Sequence, residues 1–107
     1  RTDRLVEAVI RDGTEEVRIE GRGTGPIDGF IDALSRHTGI DMSVADYSEH
    51  SLQRGSNATA ISYMEIEYPG GRVFGAGIDH NIVAASLKAI VAAANRAIVA
   101  LEAAKAA

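Results

Sequence analysis

Cysteine is absent from all 107 residues, which excludes a disulfide framework and any thiolate metal site. That absence fits a reducing compartment, and a cytoplasmic protein is expected. Other marks of common chemical sites are missing too. The three histidines, His37, His50 and His80, form no His-x-His or His-x-x-x-His pair, so no metal site is expected. Glu49-His50 and Asp79-His80 set carboxylate beside imidazole, but such neighbours on loops read first as hydrogen-bonded turn residues. No serine sits in a nucleophile elbow. The Gly-Lys-Ser/Thr of a P-loop is missing, and Gly21-Arg-Gly-Thr-Gly25 lacks the G-x-G-x-x-G spacing and parallel context of a dinucleotide site. With a net charge of −4 and no cluster of Lys or Arg, the chain has no general attraction to nucleic acid. No signal peptide opens it, and it begins at Arg1 rather than Met, as expected of a fragment of something longer. Residues 82–101 are long enough to suggest a membrane span, but Lys88, Asn95 and Arg96 interrupt them and alanine predominates. Central Lys and Arg are costly in lipid, so a soluble helix is expected.

What is present is a folded composition, 46% hydrophobic, in a chain long enough for one domain and a modest core. The rest of the chain is organised around residues 21–34, GRGTGPIDGFIDAL. A β-rich segment runs into Gly21, Gly23 and Gly25, and a helix begins at once with Pro26 in its first turn. Ile27, Phe30, Ile31 and Leu34 follow at the spacing of one buried helix face. A glycine turn entering a helix leaves backbone N–H groups aimed at one spot, which favours an anion such as a carboxylate. The pattern returns near the C-terminus: Gly75 and Gly77 pair with Gly21 and Gly23, one extra residue intervenes, and Ile82, Ala85, Ser86 and Ala89 take the helical spacing. One strand-and-helix unit built twice is therefore expected.

In chain order, residues 5–11 and 16–20 read as strands joined by Asp12-Gly13, a hairpin signal. A helix is expected over 26–37, with Gly39 ending it. Ile40, Met42 and Val44 open a third strand, and residues 52–57 (LQRGSN) form a polar break. Strands over 58–68 and 73–78 flank the Pro69-Gly70-Gly71 turn, and a last helix runs over about 80–102. The fold class is α+β, antiparallel strands closed by helices. In the last helix Asn81, Lys88, Asn95 and Glu102 fall seven apart, a single polar stripe, so the apolar remainder needs cover on more than one side. A second copy of the chain or another domain is the expected cover, with Ala93 and Ala97 as probes of that face. On residue types alone, the glycine turn, the acids Asp28, Asp46 and Asp79, and a small apolar pocket lined by Val44, Tyr47, Ala58, Ala60 and Ile78 describe a site for a branched-chain amino acid. The competing reading is that the glycines only permit tight packing.

GRGTGPIDGFIDAL, VADYSEH, NATAISYMEIEY and RVFGAGIDHNIVAASLKAIVAAANRAI, in this order and spacing, closely resemble the C-terminal regulatory domain of 2-isopropylmalate synthases. The resemblance spans about residues 4–99. It implies a βββα pseudo-repeat that dimerises and binds leucine as a feedback inhibitor of leucine biosynthesis. It also implies a parent acyltransferase that condenses acetyl-CoA with 2-oxoisovalerate. The family's zinc-dependent catalytic barrel is not in this chain, so no cofactor is expected here and the barrel is an expected partner. By motif position the effector residues are Gly23, Gly25, Ile27 and Asp28, then Val44, Tyr47 and Ser51, then Ala58, Ala60 and Ile78. Ser51 departs from the alanine common in the family, making the pocket slightly more polar. No catalytic residue, nucleic acid or membrane partner is implied. Three alternatives stay open: the equivalent domain of a citramalate synthase with isoleucine as effector, a bare dimerisation module, or an enzyme fragment using His50 and His80.

Overall fold

The computed structural model describes residues 3–52 and 58–106. Two compact units divide after Met42. The first is a hairpin of β1 (Arg4–Asp12) and β2 (Glu15–Gly23), followed by helix α1 (Pro26–Thr38). The second is an antiparallel sheet of β3 (Ser43–Ser51), β4 (Ala60–Tyr68) and β5 (Gly71–Asp79), in the order β3-β4-β5, followed by helix α2 (Ile82–Ala106). The α+β class and the helix that closes each set of strands are as expected. The polar break over 53–57 lies outside the described residues.

Each helix packs on one face of its own sheet, and alternation decides which side chains lie beneath it. In the first unit Val17, Ile19 and Gly21 of β2 turn toward α1, which buries Phe30, Ile31, Ala33 and Leu34. In the second, Ser62, Met64 and Ile66 of β4 and Gly75 and Gly77 of β5 lie under Ala85, Ala89, Ile90, Ala93 and Ala97. Met64, Ile66 and Ile90 are at most 1% exposed, and full burial of such side chains is worth about 1.5–3 kcal/mol each. Gly39 ends α1 in the left-handed region, φ 73°, and donates its N–H to the Ser35 carbonyl. The segment expected to open the third strand instead closes the first unit: the Met42 N–H donates to the Ser35 hydroxyl at 3.1 Å, and β3 starts at Ser43.

The two units repeat with one displacement. Arg4–Asp12 recurs as Ala60–Tyr68, Glu15–Gly23 as Gly71–Asp79, and Pro26 as Ile82, each 56 residues on. β2 and β5 share the same burial pattern position by position. This register corrects the sequence expectation. Gly21 corresponds to Gly77, not Gly75, and no extra residue intervenes before the helix. Space explains why: a Cβ on Gly21 would lie 2.2 Å from the Gly29 carbonyl oxygen and 2.4 Å from the Ala33 nitrogen. On Gly77 it would lie 2.2 Å from the Ala85 oxygen and 2.6 Å from the Ala89 nitrogen. Both glycines meet the same point on their helix.

The equivalence extends to the free strand edge. The Arg22 N–H of β2 donates to the Asp32 carboxylate of α1 at 2.8 Å, while 56 residues on the Lys88 ammonium donates to the Ile78 carbonyl at 3.3 Å. A helix side chain thus partners an edge backbone group in each unit, with opposite polarity. What is not repeated is β3: residues 3–42 hold two strands, so the βββα pattern is complete only in the second unit. β3 also carries a bulge between Val44 and Asp46, where the pairing with Ile66 and Glu65 skips Ala45.

The alanine face expected to meet a second chain is covered by the unit's own sheet, because Ala93 and Ala97 are fully buried beside β5. Val83, Val91 and Val99 are the large apolar residues of α2 left exposed. The polar stripe Asn81, Lys88, Asn95 and Glu102 faces outward as expected.

Close backbone approach yields a direct test. Gly21→Ala or Gly77→Ala should destabilise by at least the roughly 1–3 kcal/mol typical of overpacking. Gly25→Ala should be near neutral, because its φ of −162° suits any residue and nothing lies within 4 Å of the added carbon. Urea unfolding of the three variants checks the contrast.

Candidate functional site

The bulge brings Val44 and Tyr47 onto one face of β3. Three residues apart in a regular strand, they would point to opposite sides. With Ala45 bulged out, Val44 pairs Ile66, Tyr47 pairs Met64, Glu49 pairs Ser62 and Ser51 pairs Ala60. All four partners belong to the face of β4 covered by α2. Since α2 lies over β4 and β5, the helix-side face of β3 is left beside the helix rather than beneath it. A wedge results, with β3 as its floor and the flank of α2 as its wall.

Val44, Tyr47, Ser51 and Ala60 therefore share one face of the second sheet. Ala58 sits just before β4, its carbonyl 3.1 Å from the His80 Nδ1. Ile78 does not join them: it pairs Ile61 on the face away from α2 and is 51% exposed. Asp46, Ser48 and His50 also alternate onto that outer face, where the His50 ring meets Tyr63 edge-on at 6.2 Å. An open depression of about 350 Å³ occupies this sheet region, lined among others by Tyr63, Phe74, Ala92 and Arg96. Of the residues expected at the site it includes Tyr47 and Asp46.

Tyr47 is 38% exposed, so its ring is a partly covered surface and not a core anchor. Its hydroxyl donates to the Glu49 carboxylate, two residues on along the same face. That bond, and then burial, push the phenol pKa above its ordinary value, while the influence of the Ser86 hydroxyl of α2 opposes them. Ser86 in turn donates to the Ser62 hydroxyl at 3.1 Å, and both serines are essentially inaccessible, at 1% and 0% exposure. A buried hydroxyl needs such a partner, and the net gain of the bond is about 0.5–1.5 kcal/mol. Glu49, Ser62 and Ser86 are functional candidates that sequence reasoning missed. The signal for the two serines was present in the 56-residue register, where they stand in place of Val6 and Phe30.

The other four expected residues, Gly23, Gly25, Ile27 and Asp28, belong to the first unit, at the turn from β2 into α1. Gly23 approaches the helix so closely that a Cβ would lie 2.6 Å from the Gly29 nitrogen, which is the tight-packing role. Gly25 caps α1 with no side-chain hydrogen bond, and its carbonyl accepts from the Gly29 N–H. Ile27 is half-buried. Asp28 stands in the first helical turn and accepts from the Thr24 hydroxyl at 2.6 Å. The anion expected at this helix start is thus supplied by the chain itself, and an external carboxylate there would meet a like charge.

The acid at the second unit's turn is Asp79, which stands where the first unit has Gly23. It accepts the Asn81 N–H at 2.9 Å and pairs with the Lys88 ammonium at 2.9 Å. Asn81 caps α2 by accepting the Ala84 N–H at 3.0 Å. With its oxygens so engaged, Asp79 is a turn-former and not an open receptor for an ammonium. Among the described residues no cluster of three His, Asp or Glu could hold a metal ion.

Residues 1–98 match the model of the LeuA allosteric (dimerisation) domain. Over 93 residues, or 87% of this chain, the sequence is 72% identical to the 2-isopropylmalate synthase of Mesorhizobium japonicum. It is 71% identical over 93 residues to that of Rhizobium meliloti, and 72% to that of Rhizobium johnstonii, again at 87% of the chain. The match spans 17% of the length of each of these relatives.

Asp79 generates a pH prediction. The Asn81 N–H, then the Lys88 ammonium, hold its carboxyl below the usual range. A group depressed on folding contributes stability above its unfolded pKa of about 3.9, and that contribution is lost as the pH falls through the folded value. Asp79→Asn should therefore cost stability near neutral pH and flatten the acid arm of the profile, the two proteins converging as the pH falls below about 4. Thermal melts from pH 2 to 7 provide the comparison.

Proposed function

The chain belongs to the LeuA allosteric (dimerisation) domain family, and on that premise we propose that it is the effector-binding, dimer-forming part of a cytoplasmic 2-isopropylmalate synthase, with leucine as effector. The observation that carries this reading is the bulged strand, which gathers Val44, Tyr47 and Ser51 with Ala60 on one face beside α2. Small and aliphatic positions next to a partly exposed tyrosine suit an isobutyl group, and tyrosine adds a polar tip. The Glu49 carboxylate, on the same face, is the acid we assign to the ligand's ammonium, because Asp46 points to the outer face and Asp79 is already paired. Ala58 and Ile78, with Gly23, Gly25, Ile27 and Asp28 of the first unit, are proposed as effector residues on motif position alone. The parent reaction, condensation of acetyl-CoA with 2-oxoisovalerate, belongs to the catalytic barrel, so the chain by itself should turn over nothing. The exposed valines of α2, Val83, Val91 and Val99, are the positions we assign to self-association.

Calorimetric titration with leucine, isoleucine and valine should give saturable binding with leucine tightest, and no binding by any of the three would overturn the proposal. Tyr47→Ala should weaken leucine at least tenfold, equivalent to ~1.4 kcal/mol, while costing less stability than the ~3–5 kcal/mol of a buried aromatic truncation. Ala60→Leu should abolish binding in a protein that still folds. Sedimentation at micromolar concentration should show a dimer that Val91→Arg weakens, and a stable monomer there would remove the dimer from the proposal.

A further inference from the structure

The turn into α2 reads Asp79-His80-Asn81, and its three side chains do two different jobs. Asp79 accepts the Asn81 N–H at 2.9 Å and pairs with the Lys88 ammonium at 2.9 Å, while Asn81 accepts the Ala84 N–H at 3.0 Å. These bonds stay within the turn and the start of the helix, and Asn81 caps α2 without help from His80. His80 reaches elsewhere. Its Nδ1 meets the Ala58 carbonyl at 3.1 Å, 22 residues back in the chain. In the first unit, 56 residues earlier, stands Thr24, and its hydroxyl donates instead to Asp28 of its own helix. The second unit has Ala84 at that helix position, which offers no side-chain acceptor. The two turns therefore spend equivalent residues differently, one on its own helix and one on the lead into a strand.

We propose that His80 is a positioning residue for the effector site, its Nδ1–H holding the Ala58 carbonyl so that the lead into β4 is in place before leucine binds. The inference rests on the reading of Ala58 and Ala60 as effector residues. The β3–β4 ladder ends at the Ser51–Ala60 pair, so Ala58 and Thr59 lie beyond the last rung of the sheet. Thr59 is held there by the Leu52 N–H, which donates to its carbonyl at 2.7 Å. Ala58 is one residue farther out, and His80 holds it from a turn whose two flanking residues are themselves hydrogen-bonded. A carbonyl oxygen has no proton to give, so the bond requires the proton on Nδ1. In the neutral ring Nε2 is then bare, and in the charged ring both nitrogens carry protons, so the link survives in either state. A backbone ordered in advance removes that ordering cost from binding. His80 need not touch the ligand to contribute.

Asparagine supplies the discriminating substitution. Its side-chain amide nitrogen takes the place of Nδ1 and donates, whereas alanine offers nothing and aspartate brings an oxygen against the carbonyl oxygen. In calorimetry His80→Ala should weaken leucine about fivefold, the scale of one net hydrogen bond. His80→Asn should recover most of that loss, and His80→Asp should bind no better than His80→Ala. A side chain that only shaped the turn would not separate His80→Asn from His80→Asp, which differ little in size. Nitrogen-15 spectra of the imidazoles at mildly alkaline pH report the tautomer, with the resonances of His80 identified by their loss in His80→Asn. Neutral His80 should carry its proton on Nδ1. A neutral ring protonated on Nε2, unchanged leucine affinity in His80→Ala, or equal affinity in His80→Asn and His80→Asp would each overturn the proposal. If His80→Ala fails to fold, the contrast between His80→Asn and His80→Asp and the tautomer of the unaltered chain still decide it. Absence of leucine, isoleucine and valine binding in the unaltered chain would defeat the effector reading and this role with it. Leucine binding indifferent to all three substitutions would defeat only the role of His80.

Discussion

Everything else in each unit is arranged around a place where helix backbone rests on strand backbone with no side chain between them. At Gly21 and at Gly77 the room for a Cβ is taken by a helix carbonyl and the next turn's nitrogen. Contact this close fixes the height of the helix over the sheet. That height decides how large the neighbouring side chains can be. In the second unit the contact continues along α2 as Ala85, Ala89, Ala93 and Ala97, all fully buried, with Gly75 a further point of approach. These four alanines of the last helix are therefore explained by one strand of its own sheet. The larger side chains, Ile90 over Met64 and Ile66, occupy the adjoining row, where the separation is greater.

With that geometry common to both units, function can be sought where they differ. Two differences coincide in the second unit: a third strand, and a pair of hydroxyls where the first unit has Val6 and Phe30. Packing tolerates the serines because each hydroxyl has a partner.

Much of the fold was legible from residue order. The Asp12-Gly13 hairpin, the helix opened by Pro26 and closed by Gly39, and the outward stripe of α2 all depend on local chemistry, which a sequence states directly. Registers were harder. Matching Gly75 to Gly21 was natural, because both pairs read Gly-x-Gly, but the contact that defines equivalence is made by helix atoms four and eight residues into α1 and α2, invisible in a motif. For the same reason Ala93 and Ala97 were taken for an intermolecular face. On the site side, Val44, Tyr47, Ser51 and Ala60 were found together as motif positions. The opposite facing of Ile78 follows from strand parity, and the engagement of Asp79 from a lysine nine residues away. Glu49 was obscured by its neighbours in a run of polar residues, since nothing in DYSEHS tells which alternate members face the helix.

The bulge at Ala45 acts as a parity switch. Before it, even-numbered residues of β3 face the helix; after it, odd-numbered ones do. A chain that kept Ala45 but paired it as an ordinary strand residue would have the same strand, the same edge and the same composition. Val44 would keep its place, yet every later position would be inverted, sending Tyr47, Glu49 and Ser51 outward and bringing Asp46, Ser48 and His50 against α2. The wedge would then present imidazole and aspartate where it now presents a phenol and a glutamate. The chemical character of this surface is thus held by a single unpaired residue whose own side chain, a methyl group, takes no part in it.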